Sequence, residues 1–387
     1  MNVAILCNEV KPIPAVEGGA VETLVELLLK NNENNKLINI DIYSKENQEA
    51  IKESKKYKNS LFYYIRYSKK PLIQKLLNKV YRIFKIPNYF DLFCFNAARE
   101  IRKKDYDWII VENRPLFIFT LRRMGIKSKV ALHLHNDFLN EKDYLTNEVI
   151  SRYDKILGVS EYLSNKVKAN KKNDKVHTFL NRVDVNLFSN KNSNKENNKI
   201  NNETIILFHG RIIKEKGVYE LIKAFNIAYK QNNKLRLLIA GEFSDKKYYK
   251  KVANLLSKTQ HNNISLLGYL DHPSLAKIIQ SADIVVLPSL WNEPFGLTII
   301  ESMAAGKPII STNVGAIPEI LGDSSGIVIE NNSELIKNLS IEIINLANNI
   351  QKQKIYSDNA LKKVMAKYNA DYYLEDLIKI LKQKEIG

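Results

Sequence analysis

Two cysteines in 387 residues are too few for a disulfide framework, and Cys7 and Cys94 have no metal-ligand spacing. Both sit among apolar residues, so they are expected in cores, in a chain suited to a reducing compartment. No apolar run approaches the ~20 residues that a membrane-spanning helix needs, which excludes such an anchor. The opening Met1-Asn2-Val3-Ala4-Ile5-Leu6-Cys7 lacks the basic stretch and small-residue cleavage site of a secretory signal and reads as a buried strand, implying a cytoplasmic location. Acids are short: 42 Asp and Glu stand against 59 Lys and Arg, a formal charge of +17. That surplus suits an anionic substrate or an anionic membrane surface. It is mostly lysine, beside abundant Asn and Ile, as an A- and T-rich genome also produces, so charge alone names no partner. The aromatic and arginine motifs of the common nucleic-acid modules are missing, and no nucleic acid partner is expected.

What is present is a regular alternation. Val3 to Leu6, Ile38 to Tyr43, Trp108 to Val111, Val130 to Leu134 and Ile156 to Ser160 read as buried strands separated by helical patterns. After the polar tract 189–203 the pattern resumes with Thr204 to His209, Leu235 to Ala240, Ile264 to Leu267, Ile284 to Leu287 and Pro308 to Ser311. Alternating strands and helices imply an α/β fold of parallel sheets covered on both faces. The expected organisation is a first Rossmann-like domain at 1–188, a linker at 189–203 and a second Rossmann-like domain at 204–365. A terminal helix at about 366–387 is expected to pack back on the first domain. Doubly wound sheets bind ligands at the carboxyl ends of their strands, so the loops after the strands carry the candidates.

After the first strand, Gly18-Gly19 precedes a helix, where backbone can approach a ligand and free N–H groups form a phosphate seat; a plain tight turn is the competing reading. After the first strand of the second half, F-H-G-R-I-I-K-E-K-G places Arg211 and Lys216, a planar fork and a mobile point charge, where they could neutralise a diphosphate. The segment E-P-F-G-L-T-I-I-E-S-M-A-A-G-K-P carries Glu293 and Glu301. On one helix these acids would stand ~12 Å apart, outside the ~5 to 9.5 Å of glycoside hydrolases. Pro294 and Gly296 instead suit a loop entering a helix near Leu297, so each acid is expected to meet a different part of one extended ligand.

Gly18-Gly19, the G-R…K-G loop, I-A-G-E at 239–242, L-G-Y-L-D, S-A-D-I-V-V-L-P-S and the Glu293 to Pro308 segment together resemble family 4 of the retaining, GT-B-fold glycosyltransferases over nearly the whole chain. The resemblance implies two Rossmann-like domains facing a central cleft, and sugar transfer from a nucleoside diphosphate sugar to a glycan or lipid-linked oligosaccharide, in bacterial surface polysaccharide biosynthesis. It implies that Glu293 faces the donor sugar's hydroxyls while the backbone of Phe295, Gly296 and Leu297 contacts sugar and phosphate. Glu301 would hold the ribose, Arg211 and Lys216 the diphosphate, Gly241 part of the donor site, and Tyr269 and Leu270 would frame the base. Gly18 and Gly19 would close over the diphosphate. A histidine near the anomeric centre is implied in A-L-H-L-H-N-D; His135, nearer the strand's open end, is preferred to His133, with Asn136 and Asp137 toward the acceptor. No essential metal or other cofactor is expected.

Where the family commonly has Asn-Gly-Val-Asp, Asn181-Arg182-Val183-Asp184 stands here, losing a glycine turn or adding a cation. Residues 72–86 wind into an apolar arc and a basic arc, which suits either an anionic membrane surface or a core-facing helix with a solvated basic side. Tyr372, Leu374, Leu377, Ile378 and Leu381 are expected to pack in the terminal helix. Two other functions fit the architecture: a nucleotide-sugar epimerase, which would need no acceptor, and a non-catalytic sugar-nucleotide-binding subunit.

Overall fold

The computed structural model describes residues 1–67, 71–139, 145–170, 174–189 and 203–383. They form two compact units: one of residues 1–181 together with the chain from Ala370 onward, the other Arg182–Asn369. Residues 190–202 of the expected linker lie outside the described residues.

The first unit holds a parallel sheet of seven strands: β1 (Asn2–Leu6), β2 (Asn39–Lys45), β3 (Ser60–Ile65), β4 (Trp108–Glu112), β5 (Lys129–Leu134), β6 (Lys155–Gly158) and β7 (Val176–Thr178). Their spatial order is β3-β2-β1-β4-β5-β6-β7. Central β4 reads W-I-I-V-E and is buried throughout, as a strand covered on both faces must be. The helix Ala20–Asn35 turns Leu24, Leu27 and Leu28 inward at helical spacing. The pairing of β4 with β5 sets Glu112 beside His133.

The second unit holds six parallel strands, β8 (Thr204–His209), β9 (Leu235–Ala240), β10 (Ile264–Gly268), β11 (Ile284–Leu287), β12 (Ile309–Thr312) and β13 (Gly326–Ile329), in the order β10-β9-β8-β11-β12-β13. This is the expected α/β architecture of two Rossmann-like sheets. The strands not anticipated, β3, β7 and β13, all lie at sheet edges. Of these, β7 is only three residues, V-H-T, whereas β3 (S-L-F-Y-Y-I) and β13 (G-I-V-I) carry apolar runs that sequence reasoning passed over.

The division between the units falls at 181/182 rather than at 188, because the segment after Asn181 packs on the second unit. Val183 bridges to Asn369, and the carbonyl of Phe188 accepts a 3.0 Å hydrogen bond from Gln280 Nε2. Arg182 is buried, and its Nη1 donates to the Lys367 carbonyl. The arginine that stands where the resembled family commonly has glycine is thus part of the scaffold.

The helix Ile350–Lys367 belongs to the second unit, and the helix Tyr373–Lys382 to the first. Tyr373, Leu374, Leu377 and Leu381 are its buried residues. Tyr372 is 51% exposed, against expectation: the helix begins one residue later, which rotates Tyr373 into the core. There Tyr373 stacks on Phe179 with ring centroids 4.6 Å apart.

Candidate active site

In the second unit the strand ends are stitched by backbone hydrogen bonds that continue past the sheet. Gly210 N–H donates to the Ala240 carbonyl (3.0 Å), Ile212 N–H to Glu242 (2.9 Å) and Gly241 N–H to Gly268 (2.8 Å). Gly241 has φ +150°, and a Cβ there would lie 1.9 Å from the Gly210 carbonyl oxygen, so no other residue fits this approach. Beyond Gly268, Tyr269 is exposed and Leu270 half-buried.

The loop after β8 is tied to the loop after β11 by Leu290 N–H donating to the Glu215 carbonyl (2.7 Å). That tie brings Lys216 to Glu293, with Nζ 2.5 Å from Oε1. Ser289 Oγ (2.6 Å) and Trp291 Nε1 (2.8 Å) donate to the same oxygen. Three donors on Oε1 fix the rotamer of a carboxylate that is only 5% exposed and aim Oε2 elsewhere. Arg211, on the same loop as Lys216, is exposed.

Glu293 and Glu301 do not share a helix. The helix is Leu297–Ala304, entered through Gly296 at φ +124°. Ile299 N–H turns back to the Gly296 carbonyl (3.0 Å), while Leu297 and Thr298 come too early in the helix for an intrahelical acceptor, which leaves their N–H groups for an anion. Phe295 is buried edge-on against Tyr368, so only its backbone is free to meet a ligand. Burial pushes the Glu301 carboxyl up to about 7, against the pull of the Lys216 charge.

His209, at the end of β8, bears on Glu301. Ser302 Oγ donates its proton to the Thr298 carbonyl (2.8 Å), so it accepts at 2.8 Å from His209 Nε2–H. The bare Nδ1 then lies 3.7 Å from Glu301 Oε2. Burial and the Lys216 charge hold this imidazole neutral, down at about 3.

In the first unit His135 is assembled with residues that sequence reasoning passed over. Glu112 is fully buried, and its Oε2 lies 3.0 Å from both His133 Nδ1 and His135 Nε2. Burial pushes the Glu112 carboxyl up, but His133's charge and the hydrogen bonds from both rings outweigh it and hold it at about 2. Burial, with the neighbouring His133, pushes His135 down to about 4, so at neutral pH its ring is neutral beside the Glu112 carboxylate. Asn113, at φ +54°, donates from its backbone to the His133 carbonyl (2.8 Å) and accepts His135 N–H on Oδ1 (3.1 Å). The signal for these residues was V-E-N-R-P: an acid and an amide at the carboxyl end of a central strand, beside the strand that carries the histidines.

Glu112, His133 and His135 are also a group that could hold a metal ion, with ligand atoms within 4.8 Å of one another. As arranged, the carboxylate is already satisfied by the two ring N–H donors.

Asn136 is half-buried, and Asp137 pairs with Lys166 (2.6 Å). Next to Asn113 and Arg114 lies a cavity of about 250 Å3 walled by Phe117, Phe138, Leu139 and Val149. Gly18 and Gly19 lead into the helix Ala20–Asn35, beside Glu22, which accepts from Asn8 Nδ2 at 2.9 Å. Buried Cys7 at the end of β1 joins the two groups: burial, then the charges of Glu112 and Glu22, push its thiol up.

HepE of Anabaena, solved in complex with UDP and glucose, superposes with a TM-score of 0.77 at 15% identity, over 98% of this chain and 99% of that one. The fold is GT-B. Residues 189–363 match the family model for Glycosyl transferases group 1. The putative glycosyltransferase YtcC of Bacillus subtilis is 26% identical over 349 residues, 85% of this chain and 79% of its own length. CapM of Staphylococcus aureus, a capsular polysaccharide biosynthesis glycosyltransferase, is 24% identical over 284 residues, 69% of this chain and 70% of its own. The fold is thus that of GT-B proteins, and the sequence similarity is to glycosyltransferases.

Proposed function

We propose that this protein is a retaining glycosyltransferase that moves a sugar from a nucleoside diphosphate sugar to a glycan or lipid-linked oligosaccharide in bacterial surface polysaccharide biosynthesis. The observation that carries this reading is the Glu293 carboxylate, clamped on one oxygen by Lys216, Ser289 and Trp291 at the carboxyl ends of β8 and β11. A buried acid so fixed is a hydrogen-bond acceptor for sugar hydroxyls, beside a cation suited to phosphate.

In this reading Arg211, Lys216, the first turn of the helix Leu297–Ala304 and Gly18-Gly19 meet the diphosphate. Glu301 accepts from the ribose hydroxyls, Tyr269 and Leu270 frame the base along the loop secured by Gly241, and Phe295, Gly296 and Leu297 contribute backbone. His135 lies toward the anomeric carbon, held by Glu112, and Asn136 and Asp137 meet the acceptor. The acceptor oxygen bonds to the anomeric carbon on the face from which the diphosphate leaves. The C–O bond to phosphate breaks, and the acceptor's hydroxyl proton passes to the departing diphosphate oxygen. Neutralising that diphosphate is the main electrostatic task, which the named cations and helix N–H groups suit. No metal is invoked, and we propose a cytoplasmic site of action, peripheral to the inner face of the plasma membrane.

The test is transfer from a panel of nucleotide sugars to polysaccharide-repeat fragments, with the product's anomeric configuration read by NMR. Retained configuration supports the reading. Inversion contradicts the mechanism, and conversion of the nucleotide sugar without acceptor contradicts transfer itself.

A further inference from the structure

The helix Leu72–Ile83 is mounted on the first unit by the wrong face for a core helix. Gln74 is 1% exposed; its Nε2 donates to Asp91 Oδ2 (2.9 Å) and its Oε1 accepts Leu92 N–H (3.0 Å). One turn later Asn78 exchanges a second pair of hydrogen bonds with the Phe90 backbone, at 2.8 and 2.9 Å. The polar face is therefore the anchored one, and the apolar arc is turned outward: Leu72 is 84% exposed, Ile83 63% and Phe84 70%, with Ile73, Leu76 and Val80 between them also exposed. This overturns the core-facing alternative for 72–86.

We propose that this face docks the protein on an anionic lipid bilayer. Lys75, Lys79 and Arg82 run along one flank of the apolar arc and are exposed. From Ser54 to Phe90 the sequence contains ten Lys or Arg and no Asp or Glu. A second copy of the same surface would set these like charges against each other. An anionic bilayer satisfies both features at once, taking the apolar side chains between its headgroups while its phosphates meet the flanking cations. The side chains involved are already exposed, so docking needs no rearrangement of the fold. Lipid binding requires no sugar, so the docking face stands or falls independently of the proposed transfer reaction.

Flotation of the full chain tests it, with vesicles of phosphatidylcholine alone and of phosphatidylcholine mixed with phosphatidylglycerol. Flotation with the anionic vesicles is expected, weakening as salt shortens the Debye length. The Leu76→Glu, Ile83→Glu double variant should float at least about tenfold less. Lys79→Ala should lose roughly fivefold in partition. All three positions are exposed, so melting temperatures should match the parent chain and a folding defect is separable. Failure to float, equal flotation of parent and double variant, or a dimer in sedimentation velocity that the double variant dissociates without any lipid binding, would each overturn the proposal.

Discussion

Lys216 Nζ lies 2.5 Å from Oε1 of Glu293, so the lysine proposed for the diphosphate and the acid proposed for the sugar form one ion pair. The pair couples the two ends of a leaving-group bond: a phosphate that draws Lys216 away also frees Oε1 for a sugar hydroxyl. Glu293→Gln keeps an acceptor for Ser289 and Trp291, but removes the charge and turns the second oxygen from an acceptor into an amide donor. Transfer should fall about 100-fold or more, on the scale seen when an oriented polar group is lost from a transition-state site. Lys216→Ala should also abolish transfer, and it should cost about 3 kcal/mol of stability because it leaves a buried carboxylate unpaired. Steady-state kinetics beside urea unfolding separate the two effects; near-parental turnover of Glu293→Gln would remove it from the site.

Glu112 orders two rings at once, and Glu112→Gln cannot accept from both as an anion does. Transfer is expected to drop about 10- to 100-fold, the range for loss of a carboxylate that orients a functional imidazole. The Glu112 carboxyl is held below its unfolded value, at about 2, so its contribution to stability is complete above pH 4.5 and is lost as pH falls toward 2. Acid unfolding should show this loss in the parent chain and not in Glu112→Gln. Because the two rings already satisfy the carboxylate by hydrogen bonding, added EDTA should leave the transfer rate unchanged.

Glu301 behaves in the opposite sense. Burial raises its carboxyl to about 7 from 4.5, so the folded state holds a proton that the unfolded chain releases. Its stabilising contribution is complete below pH 4.5 and lost as pH rises to 7, a change on the order of 3 kcal/mol. His135, pushed down to about 4, loses its contribution as pH falls from about 6.5, which opposes the Glu301 slope. The difference between parent and Glu301→Gln isolates the glutamate: the parent's urea midpoint should fall relative to the variant's between pH 5 and 7, while the variant keeps the opposing slope of His135 uncompensated. Parallel curves would contradict a protonated Glu301.

Tyr373 stacks on Phe179, and Phe179 in turn lies 5.1 Å from the His133 ring. The terminal helix thus props the histidine pair from below. Tyr373→Ala should destabilise the protein by about 3 to 5 kcal/mol, as large aromatic deletions in cores do. Tyr372→Ala, at a half-exposed neighbouring position, should be nearly silent. Equal effects from the two variants would contradict the packing described.

The central strands were legible because parallel sheets leave continuous apolar runs, and β4, β8 and β11 are such runs. Of the strands not anticipated, β7 is too short at three residues to stand out, whereas β3 and β13 carry apolar runs, Leu61 to Ile65 and Ile327 to Ile329, that were passed over. Glu293 and Lys216 could be named from motif order, but not their pairing. That contact depends on the Leu290 to Glu215 backbone hydrogen bond between loops about 75 residues apart in sequence. Glu112 was missed because an acid ending a buried strand looks like a strand boundary until the register sets it beside His133. The outward apolar face at Leu72–Ile83 was equally hidden: the helical wheel gives two arcs, and only the Gln74 and Asn78 hydrogen bonds decide which one faces the protein.

The central claim is that the second unit binds a nucleoside diphosphate through Lys216 and its neighbours. A thermal-shift panel of nucleoside diphosphates and nucleotide sugars, run on the parent chain and on Lys216→Ala, tests it most directly. One base should stabilise the parent selectively, by about 2.7 kcal/mol at a concentration 100 times its Kd, and should do little for the variant. A panel that leaves the parent's melting temperature unmoved, or moves parent and variant alike, would contradict the account.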